Sequence, residues 1–128
     1  MAIIPKTTGI HHICLRSTDM RRSKDFYQNT IGFPLIIDEP DLMIFLAGAV
    51  FVAFKKADPK TGTFFSPFEI GLDHIALACS NEEELYRFAK ELTEAQVENT
   101  GVKRDEVLQK LYVAFKDPDK IQWEFYMI

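Results

Sequence analysis

The sequence predicts an α+β fold made of two copies of one βαβββ module, and three observations carry that prediction. The first is an internal repeat. Residues 9–32 and 71–94 align without a gap at a spacing of 62, which pairs His12 with His74, Ile13 with Ile75, Leu15 with Leu77, Asp19 with Asn81 and Phe26 with Phe88. The second is the alternation of apolar residues after each histidine, the period of a half-buried strand. The third is the sequel to each alternating stretch: a helix-capping residue, then a helix carrying an aromatic side chain.

Taken in order, residues 12–17 read as a first strand, and Asp19 can accept hydrogen bonds from the free amides of a helix running to about Thr30. Gly32 suits the helix stop, because glycine enters the left-handed conformation at little cost. Residues 34–37, 42–46 and 50–55 read as three strands. Residues 56–69 contain Pro59, Gly62 and Pro67 and read as a linker. The second module repeats the plan, with a strand at His74 and a helix capped by Asn81. Glu84 stands three residues on, as in a capping box. Strands come next at 97–102, 110–116 and 121–127. Asp117-Pro118-Asp119-Lys120 suits a tight turn, with proline fixing φ. One domain over 1–128 is expected, with module one over about 8–55 and module two over about 70–128.

Composition removes several classes of function. The net charge is −4 and no dense Lys/Arg stripe occurs, so nucleic acid is not an expected partner. Residues 1–9 lack a basic start and an apolar stretch, so no signal peptide is expected. The longest apolar run, residues 42–54 interrupted by Gly48, falls short of the about 20 residues that span a bilayer. No membrane partner is therefore expected. Cys14 and Cys79 both lie in apolar strand-like stretches, and two buried thiols suit a reducing cytoplasm.

Side chains alternate across a strand. His12, Cys14 and Arg16 therefore share one face, as do His74, Ala76 and Ala78. In the last strand Gln122, Glu124 and Tyr126 share a face, while Trp123, Phe125 and Met127 take the helix-packed side. His11 should face away from His12. A carboxylate between Trp123 and Phe125 is costly if buried alone, and a cation would offset that cost. Two imidazoles and one carboxylate are a known donor set for Zn and non-haem Fe(II). A lone strand histidine is more often an ordinary core or surface residue. Its recurrence at a fixed spacing is what singles out His12 and His74. Arg16 suits an anionic substrate group, although a solvated strand end is the commoner role. Phe51, Phe54, Phe64, Phe65 and Tyr112 could wall a pocket, and most such aromatics are simply core.

At these residues the chain resembles the vicinal oxygen chelate superfamily, which includes glyoxalase I, fosfomycin-resistance thiol transferases, extradiol dioxygenases and bleomycin-resistance proteins. The matching stretches are HICLRSTD (12–19), SKDFY (23–27), IGF (31–33), DHIAL (73–77) and residues 117–124. The resemblance implies a U-shaped, partly open β-barrel with helices outside. It implies a divalent ion (Fe, Zn, Ni or Mn) held by His12, His74 and Glu124, with Glu124 catalytic as well. Gln122 and Tyr126 would donate hydrogen bonds to the ligands or substrate. The partner would be a small oxygen-chelating substrate, handled by Lewis-acid or O₂ chemistry, and the chain would form a homodimer. Where glyoxalase I carries a fourth ligand, Val52 or Ala53 stands here, which argues against that activity. The alternative is a drug-sequestering binding protein without catalysis.

Overall fold

The computed structural model describes residues 2–60, 62 and 64–128. It divides into two compact units, Met1–Thr61 and Gly62–Ile128. The first contains β1 (His12–Ser17), α1 (Met20–Asp25), β2 (Leu35–Glu39), β3 (Leu42–Ala47) and β4 (Val50–Lys56). The second contains β5 (Ile75–Cys79), α2 (Glu82–Glu94), β6 (Asn99–Asp105), β7 (Lys110–Lys116) and β8 (Gln122–Met127). Each unit holds one four-stranded sheet, in the orders β1-β4-β3-β2 and β5-β8-β7-β6. In each the first strand lies parallel to the last, and the last three form an antiparallel meander. The two βαβββ modules are thus the α+β fold that the repeat predicts.

Local chemistry explains the elements. The Asp19 side chain accepts from the Arg22 amide, and that of Asn81 from the Glu84 amide, so both helices start at the repeated capping position. The Glu84 carboxylate does not complete a capping box. It is taken by Arg87, whose Nε donates to it at 2.7 Å. The first helix reaches Ile31, but its second half, Phe26–Ile31, widens into a π-helix. There the Tyr27 carbonyl accepts from both Gly32 and Phe33. Gly32 ends the helix at φ 87, where its missing Cβ removes the strain.

One face of each sheet packs on its helix. In the first unit Tyr27, Phe45 and Phe54 are fully buried, with Tyr27 and Phe54 ring centres 4.6 Å apart. Ser17 on β1 shares a 2.6 Å hydrogen bond with Ser23 on α1 and so satisfies both buried hydroxyls. In the second unit Leu85 and Leu92 of α2 are buried with Val113, Phe115 and Trp123, and Phe88 meets Phe115 and Phe125 edge-on. The opposite sheet face carries the residues of interest.

The edge strands β2 and β6 depart from expectation. β6 begins at Asn99 rather than Val97 and runs on to Asp105, and β2 runs on to Glu39. Both pair through a register shift, Asn99/Val102 and Leu35/Ile37, that breaks the alternation a sequence reading depends on.

Candidate metal centre

The parallel pairing of β5 with β8 brings two distant residues together. Ala76 pairs with Glu124 across the parallel ladder, and Ala114 of β7 pairs with Glu124 from the other side. Flanked by two methyl groups, the Glu124 side chain has room to stand up from the sheet. His74 lies one residue before β5 begins, and its Nε2 stands 3.4 Å from Glu124 Oε1. Its Nδ1 stands 2.7 Å from an Asp73 carboxylate oxygen. An ionised carboxylate only accepts, so Nδ1 carries the proton and donates. That fixes the tautomer and turns the Nε2 lone pair toward Glu124.

The pair sits in a concavity of about 430 Å³ lined by residues of the second unit. Its rim includes Asp105, Leu108, Tyr112 and Tyr126. The Tyr112 and Tyr126 rings stack 5.8 Å apart, and the Tyr126 hydroxyl donates to Asp105 at 2.6 Å. That bond holds the Asp105 carboxyl below its usual range and pushes the Tyr126 phenol up to about 12. Glu124 is shifted the other way. Burial pushes its carboxyl up, a protonated His74 ring pulls it down when no ion is bound, and Asp105 and Asp73 add to the rise.

The donor pair fits a divalent cation. Two donors bound to one ion at about 2.1 Å with tetrahedral angles stand about 3.4 Å apart, which is the separation found between His74 and Glu124. A half-buried carboxylate with no Lys or Arg among the groups that shift it is the setting a cation relieves. Among the described residues, however, no group of three or more His, Cys, Asp or Glu side chains is assembled as a metal site.

His12 belongs to the first unit, on the exposed face of β1 with Cys14 and Arg16. Arg16 donates to the Lys56 carbonyl at 3.1 Å, anchoring the end of β4. Gln122 opens β8, pairs with Lys116 in the ladder and is not among the residues lining the concavity. Two expectations are corrected. Cys14 is exposed, unlike Cys79, because it stands on the sheet face away from the helix. His11 does not turn away from His12. Their Nδ1 atoms approach to 2.9 Å, because β1 begins only at His12 and strand alternation does not bind its predecessor. Sequence reasoning also passed over Asp73 and Asp105 as site residues. The adjacency of Asp73 to His74 was a usable signal. Asp105 gave none, since its reach depends on the β6–β7 turn.

Two βαβββ modules, each with its first strand parallel to its last, define a class of protein. The comparisons agree. The chain belongs to the Glyoxalase/Bleomycin resistance protein/Dioxygenase superfamily, whose family model matches residues 9–125. It is 30% identical to the uncharacterized protein YwkD of Bacillus subtilis over 92% of this chain and 95% of that one. It is also 28% identical to MhqA of the same organism, whose name gives it provisionally as a ring-cleaving dioxygenase. That match covers 77% of this chain but only 34% of MhqA. A glyoxylase/bleomycin resistance protein/dioxygenase domain from Frankia shares the fold with a TM-score of 0.81, at 19% identity over 95% of this chain and 98% of that one. No helix among the described residues is long and apolar enough to cross a membrane.

Proposed function

We propose that the chain is a metal-dependent enzyme acting on a small substrate that chelates through adjacent oxygens. His74 and Glu124 hold the ion, and His12 of the first unit is the third ligand, as the repeat suggests. The observation that carries the reading is the His74–Glu124 pair, 3.4 Å apart, with Asp73 behind the imidazole.

When bound, the ion supplies Lewis-acid polarisation of a substrate oxygen, or, if it is iron, a place for O₂. The chain's own residues do the rest. Asp73 keeps the His74 proton on Nδ1, so that Nε2 stays a donor of electrons. Glu124 contributes negative charge from a partly buried position that limits competing water. Tyr112, Tyr126 and Leu108 offer an apolar wall for the body of the substrate. The counterpart of Glu124 in the first unit is Ala53, since Cys14 pairs with Ala53 as Ala76 pairs with Glu124. An alanine cannot ligate, which argues against a four-ligand, glutathione-linked lyase and leaves more of the ion open to substrate. Pairing of two chains, common to such folds, belongs to the same proposal.

Elemental analysis of anaerobically purified protein tests it. About one divalent ion per wild-type chain is expected, with marked loss in His12→Ala, His74→Ala and Glu124→Ala. Iron would direct the search to oxygen chemistry, and Zn, Ni or Mn to Lewis-acid chemistry. Equal metal content in wild type and all three variants refutes the reading. A metal-free wild type that still binds small molecules would favour the drug-sequestering alternative.

A further inference from the structure

The wall of the concavity beside the His74–Glu124 pair has its own chemistry. Tyr126 lies on β8 two residues beyond Glu124, and its hydroxyl proton is committed to Asp105 at the end of β6. The bond ties the β6–β7 turn to the strand that carries Glu124. Asp105 is itself braced, since its other oxygen accepts from the Val107 amide at 2.9 Å. Tyr112 stacks on Tyr126 with an interplanar angle of 18°. Beyond them Leu108, 64% exposed, extends the apolar surface. Besides the Tyr112 hydroxyl, the polar side-chain atoms left to meet a ligand are acceptors: the Tyr126 oxygen, Asp105 and Glu124. No Lys or Arg is among the residues that line this concavity.

We propose that Asp105 is a positioning and specificity-determining residue. It locks the Tyr126–Tyr112 pair as a flat apolar wall, and its charge selects substrates whose body is uncharged or cationic over those with an anionic tail. This inference rests on the metal-site reading of the same concavity. The physical basis is twofold. A stacked aromatic wall favours a flat or apolar group laid against it. A fixed carboxylate about 5 Å from a ligand charge changes affinity by about tenfold at an effective dielectric of about 50, and by more than about a hundredfold at about 20.

Three probes sharing one ring with two adjacent hydroxyls test it: catechol, its 4-aminoethyl derivative (dopamine) and its 4-carboxylate (3,4-dihydroxybenzoate). Affinities are read by ligand-observed NMR on zinc-loaded and on chelator-treated protein. The expected order is amine, then catechol, then carboxylate, with at least about tenfold between the extremes. Tyr112→Ala should weaken catechol by about fivefold. Asp105→Asn keeps an acceptor for the Tyr126 hydroxyl but removes the charge. It should shrink the amine-to-carboxylate ratio by about threefold or more, a readout that a purely structural role would leave alone. Because the order is also read without metal, a failure of the metal site appears as absent zinc and leaves the charge order to be judged separately. A carboxylate bound as tightly as the amine, a ratio unmoved by Asp105→Asn, or binding indifferent to Tyr112→Ala overturns the proposal.

Discussion

The two units place a histidine at the same point of one fold, yet only the second is equipped around it. In the second unit the ladder sets Glu124 between Ala76 and Ala114. In the first the same ladder sets Ala53 between Cys14 and Ile44. His74 has a carboxylate near each ring nitrogen, whereas among the described residues His12 has the neighbouring His11 at its Nδ1. The repeat therefore supplied the scaffold twice and the site's chemistry unequally. Duplication fixes backbone register, and single substitutions then decide which copy becomes the ligand-rich one.

Each prediction breaks or sharpens that inequality. The largest effect is expected from Glu124→Ala, which removes the feature unique to the second unit. Metal affinity should fall by more than about a hundredfold in a competition titration, beyond the 10- to 100-fold typical of outlying partners. The reverse experiment is Ala53→Glu, which writes the second unit's carboxylate into the first. Ala53 is only 5% exposed, so an unpaired carboxylate there should cost about 2 kcal/mol or more in denaturant unfolding. Part of that cost should return when zinc is added. Asp73→Asn leaves the ligands in place but weakens the hold on the His74 tautomer, and should lower metal affinity by about ten- to a hundredfold without changing stoichiometry.

The smallest effect concerns the turns that lead into the last strand of each unit. In the first unit the left-handed position is Gly48 at φ 60, and in the second it is Lys120 at φ 69. A side chain there costs about 1 kcal/mol, offset in part by the exposed ion pair of Lys120 with Glu98 at 3.2 Å. Lys120→Gly should therefore raise the thermal midpoint slightly. It should also flatten the acid limb of stability. Hydrogen bonding to Lys120 is the first cause that holds the Glu98 carboxyl below its ordinary value. A group whose folded value is depressed contributes stability above its unfolded value and loses it as pH falls through the folded one. Unfolding midpoints measured from pH 7 to below about 4 read both effects.

Much of the molecule was legible in the sequence, and the reason differs by element. Asp19 and Asn81 announced both helix starts because a cap is a local bond between neighbours in the chain. Strands β3, β4, β7 and β8 were legible because they sit inside their sheets and alternate or run apolar. The ends of the edge strands β2 and β6 were not. Lys103, Arg104, Asp38 and Glu39 continue them through backbone pairing that needs no apolar pattern. The π-helical widening at Phe26 leaves no periodic signature in so short a stretch. At the candidate site, His74 stood out by its recurrence at the repeat spacing and Glu124 by alternation along β8. The Asp105–Tyr126 bond was not, because it depends on how far the β6–β7 turn folds back over β8.

X-ray absorption on the zinc-loaded protein tests most directly the claim that the second unit's His74–Glu124 pair binds a metal ion. The expected spectrum has a first shell of nitrogen and oxygen without sulfur, containing two imidazoles, and loses one imidazole in His74→Ala. A spectrum that is the same in wild type and His74→Ala, or a shell containing the Cys14 sulfur, would contradict it.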